Sequence, residues 1–164
     1  MRNYNDLNLN YKGGNLSIKQ DNLTSLDDCP HHITGWFICN INNLTSLVGG
    51  PQKVDGYYDC NDNLLTDLVG CASHIEQTLY FSHNQITSLV GIHKIIKSCK
   101  SMSFTPRKIK EGGIGLLLIE NLTYISESYT PFEIIQSYLG SGTKGMMECS
   151  KELKAKGWAE YAKL

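Results

Sequence analysis

Long apolar runs are missing from this 164-residue sequence. The longest, Ile114 to Ile119, is interrupted by Gly115 and falls far short of the roughly 20 residues that a membrane-spanning helix needs. Net charge is nearly absent too. Fifteen Lys and Arg against 16 Asp and Glu give −1, too little for an electrostatic footprint on nucleic acid or an anionic membrane. The segment Met1 to Asn10 is polar and has no apolar signal core, so a cytoplasmic, reducing setting is expected. No pair of the six cysteines has C-x-x-C spacing, which argues against a zinc ribbon. In a reducing compartment they read as free thiols that pack as small buried hydrophobes.

What the chain has instead is internal periodicity. Asp21, Asn42, Asn63 and Asn84 stand 21 residues apart. In the same phase run Leu23, Leu44, Leu65 and Ile86, then Thr24, Thr45, Thr66 and Thr87, then Leu26, Leu47, Leu68 and Leu89. Upstream, Leu16, Phe37, Tyr58 and Leu79 form one column and Ile18, Cys39, Cys60 and Phe81 another. Downstream, Ile33, Val54, Ile75 and Ile96 close each unit, with Gly35 and Gly56 at two corners. Each unit alternates at period two, as a short strand with one buried face does. The Asp or Asn three residues later can hydrogen-bond local backbone at a sharp turn, and stacked copies predict a polar ladder inside the coil. A unit this small cannot bury its own apolar face, so neighbours must stack on it.

Leu16-x-Ile18-x-x-Asp21-x-Leu23 and Leu79-x-Phe81-x-x-Asn84-x-Ile86 resemble the leucine-rich-repeat signature L-x-L-x-x-N-x-L. The fuller unit, Phe37 to Gly56, is similar to the short repeats of proteins encoded by large tailed bacteriophages. The ending Lys144-Gly145, Cys149, Glu152-Leu153, Gly157 and Glu160 to Leu164 resembles theirs as well. The resemblance implies an α/β leucine-rich-repeat solenoid of stacked short parallel strands. It also implies an accessory protein acting on host machinery or host defence.

The pattern wears out at both ends. Leu7, Leu9 and Tyr11 read as a worn first coil, an N-terminal cap with Gly13 and Gly14 at its corner. After Ser98 the columns fall on Lys100, Met102, Thr105 and Arg107, so the inward pattern is expected to hold for one strand and then fail. Asn121 to Ile125, following Ile114 to Ile119, is expected to close the sheet as its last strand. Thr130-Pro131-Phe132-Glu133 reads as an N-cap with a capping box, opening a helix to Leu139. A second helix spans about Lys144 to Lys156, and Trp158, Tyr161 and Ala162 suggest one more turn. The expected organisation is a solenoid over residues 1–126 (cap 1–14, regular repeats 15–98, degenerate repeats 99–126) and a helical cap over 127–164 that covers the last coil.

Features that suggest chemistry each meet a plainer reading. Gly140-Ser141-Gly142-Thr143-Lys144-Gly145 matches G-x-G-x-x-G, but no strand precedes it and no βαβ unit surrounds it, so it reads as a helix–helix turn. His31, His32, His74 and His93 lie in coil corners without a chelating partner at ligand spacing, and read as solvated loop residues. Cys149 sits on an apolar stripe and reads as a packed thiol. Arg107, Lys108 and Lys110 read as an exposed basic loop. No catalytic residue, metal or cofactor is expected.

Strand alternation also fixes which side chains point outward. Trp36, Ile38, Tyr57 and Tyr80 are expected to form an exposed apolar and aromatic cluster rimmed by Asn40, Asp59 and Asn61. That is hot-spot composition, and it predicts a non-enzymatic module gripping a protein partner, a host protein if the chain is phage-encoded. Covering of the patch by the C-terminal helices or by a second copy of the chain is the competing expectation. A small-ligand or nucleotide site at Gly140–Gly145 is the alternative function. Residues 1–98 carry 6 basic and 9 acidic side chains and residues 99–164 carry 9 and 7, a split that excludes neither partner type.

Overall fold

Strands two residues long persist here because each is paired with its neighbours in register. A computed structural model of the chain describes residues 2–126 and 128–164. Met1 and Glu127, which open the expected N-terminal and helical caps, lie outside the described residues. Eight strands form one parallel sheet: β1 (Leu16–Ser17), β2 (His32–Ile33), β3 (Phe37–Ile38), β4 (Lys53–Val54), β5 (Tyr58–Asp59), β6 (His74–Tyr80), β7 (Ser98–Ser103) and β8 (Tyr124–Ser126). Leu16 pairs with Phe37, Phe37 with Tyr58, and Tyr58 with Leu79, each a step of 21 residues. The result is a solenoid-like α/β arrangement.

The sheet has a second lane that the sequence reading did not separate. β2, β4 and the start of β6 pair through Ile33, Val54 and Ile75, one corner upstream of the first lane. In β6 and β7 the corner straightens and the two lanes become one strand.

Both inward strand columns are buried, from Leu16, Phe37, Tyr58 and Leu79 to Ile18, Cys39, Cys60 and Phe81. The leucine columns after them are buried too. The polar ladder forms at three of its four expected positions, the asparagines; Asp21 takes part only through its backbone N–H, which donates to Asn42 Oδ1. Asn42 Oδ1 accepts from the Leu23 N–H at 3.0 Å while its Nδ2 donates to the Ile18 and Cys39 carbonyls at 2.8 and 3.0 Å. Asn63 and Asn84 repeat this one coil on, accepting from the Leu44 and Leu65 N–H groups. Each amide thus ties its own coil to the one before, satisfying backbone groups that the turn leaves unpaired. Close stacking also dictates Gly70. At φ 87° its added Cβ would lie 2.2 Å from the Val48 nitrogen.

The repeat continues past Ser98, but in a different phase from the expected one. Helix α1 (Ile92–Ile95), a single turn, lengthens the connection into β7. Ile75 therefore pairs with Cys99, and Ile96 is buried outside that column. Leu79 pairs with Met102, a step of 23 residues, and Phe104 and Ile109 fill the following inward positions. Lys100 and Arg107 point to solvent and Thr105 is half-buried; Met102 alone of the four is buried, and it stands in the Leu79 column, not in the expected Phe81 column.

At the N-terminus the buried residue is Tyr4, in a 3-10 turn (Tyr4–Leu7), whereas Leu9 is exposed. Tyr11 is half-buried, and its hydroxyl accepts from the Thr34 N–H and donates to the Gly14 carbonyl. At the other end Ile114–Leu118 is a 3-10 helix, and β8 is the last strand.

Helix α2 (Thr130–Ser137) starts one residue earlier than expected. Its N-cap is Tyr129, whose carbonyl takes the Phe132 and Glu133 N–H groups; no side chain caps it, and Glu133 instead accepts from the Ser128 hydroxyl. Gln136 acts as an extra strand residue on the open edge of β8, accepting from the Ile125 N–H and donating to the Thr123 carbonyl. Helix α3 (Gly142–Ala155) buries Cys149 and Leu153, and a final 3-10 turn (Ala159–Ala162) buries Tyr161. Phe104 stacks on Phe81 and meets Phe132 edge-on at 5.0 Å, which carries the core from the sheet into α2.

Candidate functional site

The outward side chains of β3, β5 and β6 stand in three adjacent columns because their strands pair in register. Trp36 neighbours Tyr57, Ile38 neighbours Asp59, and Asp59 neighbours Tyr80. Trp36 and Tyr57 stack with ring centroids 5.8 Å apart and planes 11° from parallel. Tyr57 meets Tyr80 at 6.0 Å with the planes at 88°. The expected residues are therefore brought together on one face. They are half-buried where full exposure was expected, because each ring covers part of its neighbour.

The rim is a hydrogen-bonded unit. Asn40 Nδ2 donates to Asp59 Oδ2 at 2.7 Å, and the Asn61 N–H donates to Asp59 Oδ1 at 3.0 Å. Asn61 Oδ1 accepts from the Ser82 N–H at 2.6 Å, and Asn40 Oδ1 is buried with no hydrogen-bond partner among the described residues. Burial pushes the Asp59 carboxyl above its ordinary value, opposed by the two hydrogen bonds it accepts. Among the described residues it forms no ion pair. On either side of this patch the face turns polar: Asn15 and Ser17 precede it, and Ser101 and Ser103 follow.

One residue beside the rim escaped the sequence reading. Ile41, next to Asn40, holds a left-handed φ of 54° while 47% exposed. A β-branched side chain is an outlier there. Its column of Gln20, Ile41, Asp62 and His83 shares that backbone conformation, and Ile41 is its one apolar member. That contrast was the available signal. A second column, Val48, Val69 and Val90, is exposed on the turns that follow the leucines and keeps the 21-residue spacing.

No protein-family model, curated protein or solved structure matches the chain.

The remaining candidates resolve as structure. Gly140 and Ser141 lie in the turn between α2 and α3 and Gly142 to Gly145 form the first turn of α3, with the Ser141 hydroxyl donating to the Tyr138 carbonyl and the Gly145 N–H donating to the Ser141 carbonyl. Cys149 is fully buried, and burial raises its thiol to about 11, the wrong direction for a nucleophile. All six cysteines are free and buried, Cys39 and Cys60 among them. His32 lies 2.9 Å from Asp55 and His83 3.0 Å from Asp62, in both cases across adjacent coils. The basic loop is exposed, but Arg107 lies over the Tyr129 ring and Lys108 donates to the Asn84 carbonyl. Among the described residues no three His, Cys, Asp or Glu side chains gather as metal ligands, and no helix is long and apolar enough to cross a membrane.

Proposed function

We propose that this protein is a leucine-rich-repeat solenoid acting as a non-enzymatic binding module, with the face of β3, β5 and β6 as its protein-binding surface. The observation that carries the reading is the ladder Trp36–Tyr57–Tyr80 with Ile38. It is a contiguous aromatic and aliphatic patch bounded by polar columns on both sides and held on paired strands. Aromatic anchors inside a polar rim are the composition of interface hot spots. The raised thiol of Cys149 and the self-bonded Gly140–Gly145 turn support binding over catalysis. The likeness of residues 15–98 to phage-encoded repeats supports an accessory protein that modulates a host protein.

Host-lysate capture with wild type and with the W36D/Y80D double variant tests this. Wild type should retain a specific protein and the double variant should not. Losing the ring contacts costs about 1–2 kcal/mol, so the variant should still melt cooperatively a few degrees lower. Equal capture by both proteins refutes the assignment. A wild-type dimer in sedimentation that the double variant converts to monomer makes the occupant a second copy, and the hetero-partner reading fails.

A further inference from the structure

We infer that the binding face carries a subsite for a cationic side chain, an arginine of a protein partner, formed by the Asp59 carboxylate beside the rings of Tyr57 and Tyr80. This rests on the reading of the face as a binding surface and adds the chemistry that the partner must present.

The placement follows from strand register. Asp59 stands opposite Tyr80 across the β5–β6 pair and two residues beyond Tyr57 on its own strand, so its side chain leaves the sheet beside both rings. The rings are perpendicular, with centroids 6.0 Å apart. A cation is drawn both to an aromatic face and to a carboxylate.

Hydrogen-bond accounting selects arginine. Each Asp59 oxygen accepts one bond from the chain, from Asn40 Nδ2 or from the Asn61 N–H. A carboxylate has about four acceptor positions, so one remains on each oxygen. Two parallel acceptors match the guanidinium fork, whereas an ammonium engages as a point charge. Asn40 Oδ1, buried without a partner, is a further acceptor beside the site.

The charge setting agrees. Residues 1–98 carry 9 acidic and 6 basic side chains, and Asp59 forms no ion pair within the chain among the described residues. Lys19 offsets the Asp59 charge only in part, since burial still outweighs it, and a partner's cation in direct contact lowers the cost of keeping the half-buried carboxylate charged.

N-acetyl-arginine amide is the probe, with the neutral isostere N-acetyl-citrulline amide as control, each titrated into the full chain while the ring protons of Tyr57 and Tyr80 are followed by NMR. Arginine should give saturable shifts at millimolar concentration, and citrulline none. Asp59→Asn should weaken arginine about tenfold, and Tyr80→Leu, which keeps the carboxylate, severalfold. The inference is overturned by absent shifts, by equal shifts from citrulline, or by arginine binding that survives Asp59→Asn. The two failures separate. If W36D/Y80D loses a captured protein that Asp59→Asn retains, the arginine subsite is wrong and the binding face stands. If arginine titrates the rings but no protein depends on Trp36 and Tyr80, the subsite stands and the functional reading falls.

Discussion

Asn63 is the middle amide of the ladder, with Asn42 one coil before it and Asn84 one coil after. It is 5% exposed, its Oδ1 accepts from the Leu44 N–H at 3.1 Å, and its Nδ2 donates to the Cys39 and Cys60 carbonyls at 3.1 and 3.2 Å. Those two carbonyls keep second donors, Asn42 Nδ2 and Asn84 Nδ2, both at 3.0 Å. Nδ2 also donates to the Asn61 carbonyl at 3.1 Å, which keeps the Ile41 N–H, so Asn63→Ala orphans one buried donor, Leu44 N–H, and removes three shared bonds. An orphaned buried donor costs about 1–3 kcal/mol and a shared bond a fraction of one, so the total is about 3 kcal/mol. For a chain of this length that lowers the melting temperature by about 6–10 °C. Asn63→Asp keeps the acceptor but turns a buried carboxylate toward three carbonyls. Its folded-state pKa is raised, so its stability should be best at low pH and lost as pH rises through the carboxylate range. Asp21→Ala is the internal control, because Asp21 holds the same column yet its side chain makes no hydrogen bond among the described residues, and its loss should cost under about 0.5 kcal/mol. Urea melts followed by circular dichroism, with exchange of the Leu44 amide as a local readout, decide the matter. If Asn63→Ala loses no more stability than Asp21→Ala, or leaves Leu44 exchange unchanged, the ladder is ornament and the reasoning fails.

Ile41→Asn should raise stability by about 1 kcal/mol, since Asn accepts the left-handed conformation that penalises a branched side chain; an unchanged urea midpoint would show no strain at φ 54°. Tyr58→Phe should be neutral or stabilising by up to about 1 kcal/mol, because the Tyr58 hydroxyl is buried with no partner among the described residues, and a loss in calorimetry would contradict that. Burial raises the Asp59 carboxyl, so this group subtracts stability as pH rises through the carboxylate range; the melting-temperature difference between Asp59→Asn and wild type should grow in the variant's favour from pH 3 to pH 7. A constant difference would place Asp59 in water.

The stacked coils were legible because 21-residue spacing and period-two alternation coincide at the same residues. Phe37, Cys39 and Asn42 could be placed from pattern alone, since a buried face, a strand and a sharp turn each demand a residue type. The change of phase after Ser98 was not legible. It comes from one helical turn at Ile92–Ile95, and a four-residue turn has too little periodicity to announce itself. Met102 was therefore assigned to the Phe81 column when it belongs to that of Leu79, and Phe104 takes the place expected of Met102, each column being displaced by two residues. The capping box at Thr130 failed for a similar reason: Tyr129 sits extended at the helix start and supplies its carbonyl, so the threonine falls inside the first turn. At the site, alternation put all seven residues on one face. It could not show how much the rings cover one another, because that depends on rotamers, nor that Asn40 and Asn61 would hold Asp59 from both sides.

The position of the aromatic ladder within the stack bears on what it can do. In a repeat array each coil is stabilised by its two neighbours, so interior coils open less readily than terminal ones. Trp36, Tyr57 and Tyr80 belong to coils flanked on both sides, tied by Asn42, Asn63 and Asn84 and sealed on their inner face by Phe37, Tyr58 and Leu79. On this face the strands beside the ladder carry small polar residues, Asn15 and Ser17 at β1 and Ser101 and Ser103 on β7, and beyond them Tyr124 stands exposed on β8, the last strand. The stacked cluster of rings is thus seated in interior coils, where the backbone is held most firmly. A surface placed for solubility alone would not distinguish interior from terminal coils. A surface meant to meet another molecule gains from the distinction, because side chains already ordered by stacking lose less entropy on association. The same rings that cover one another in the free chain are therefore anchors set in place before a partner arrives.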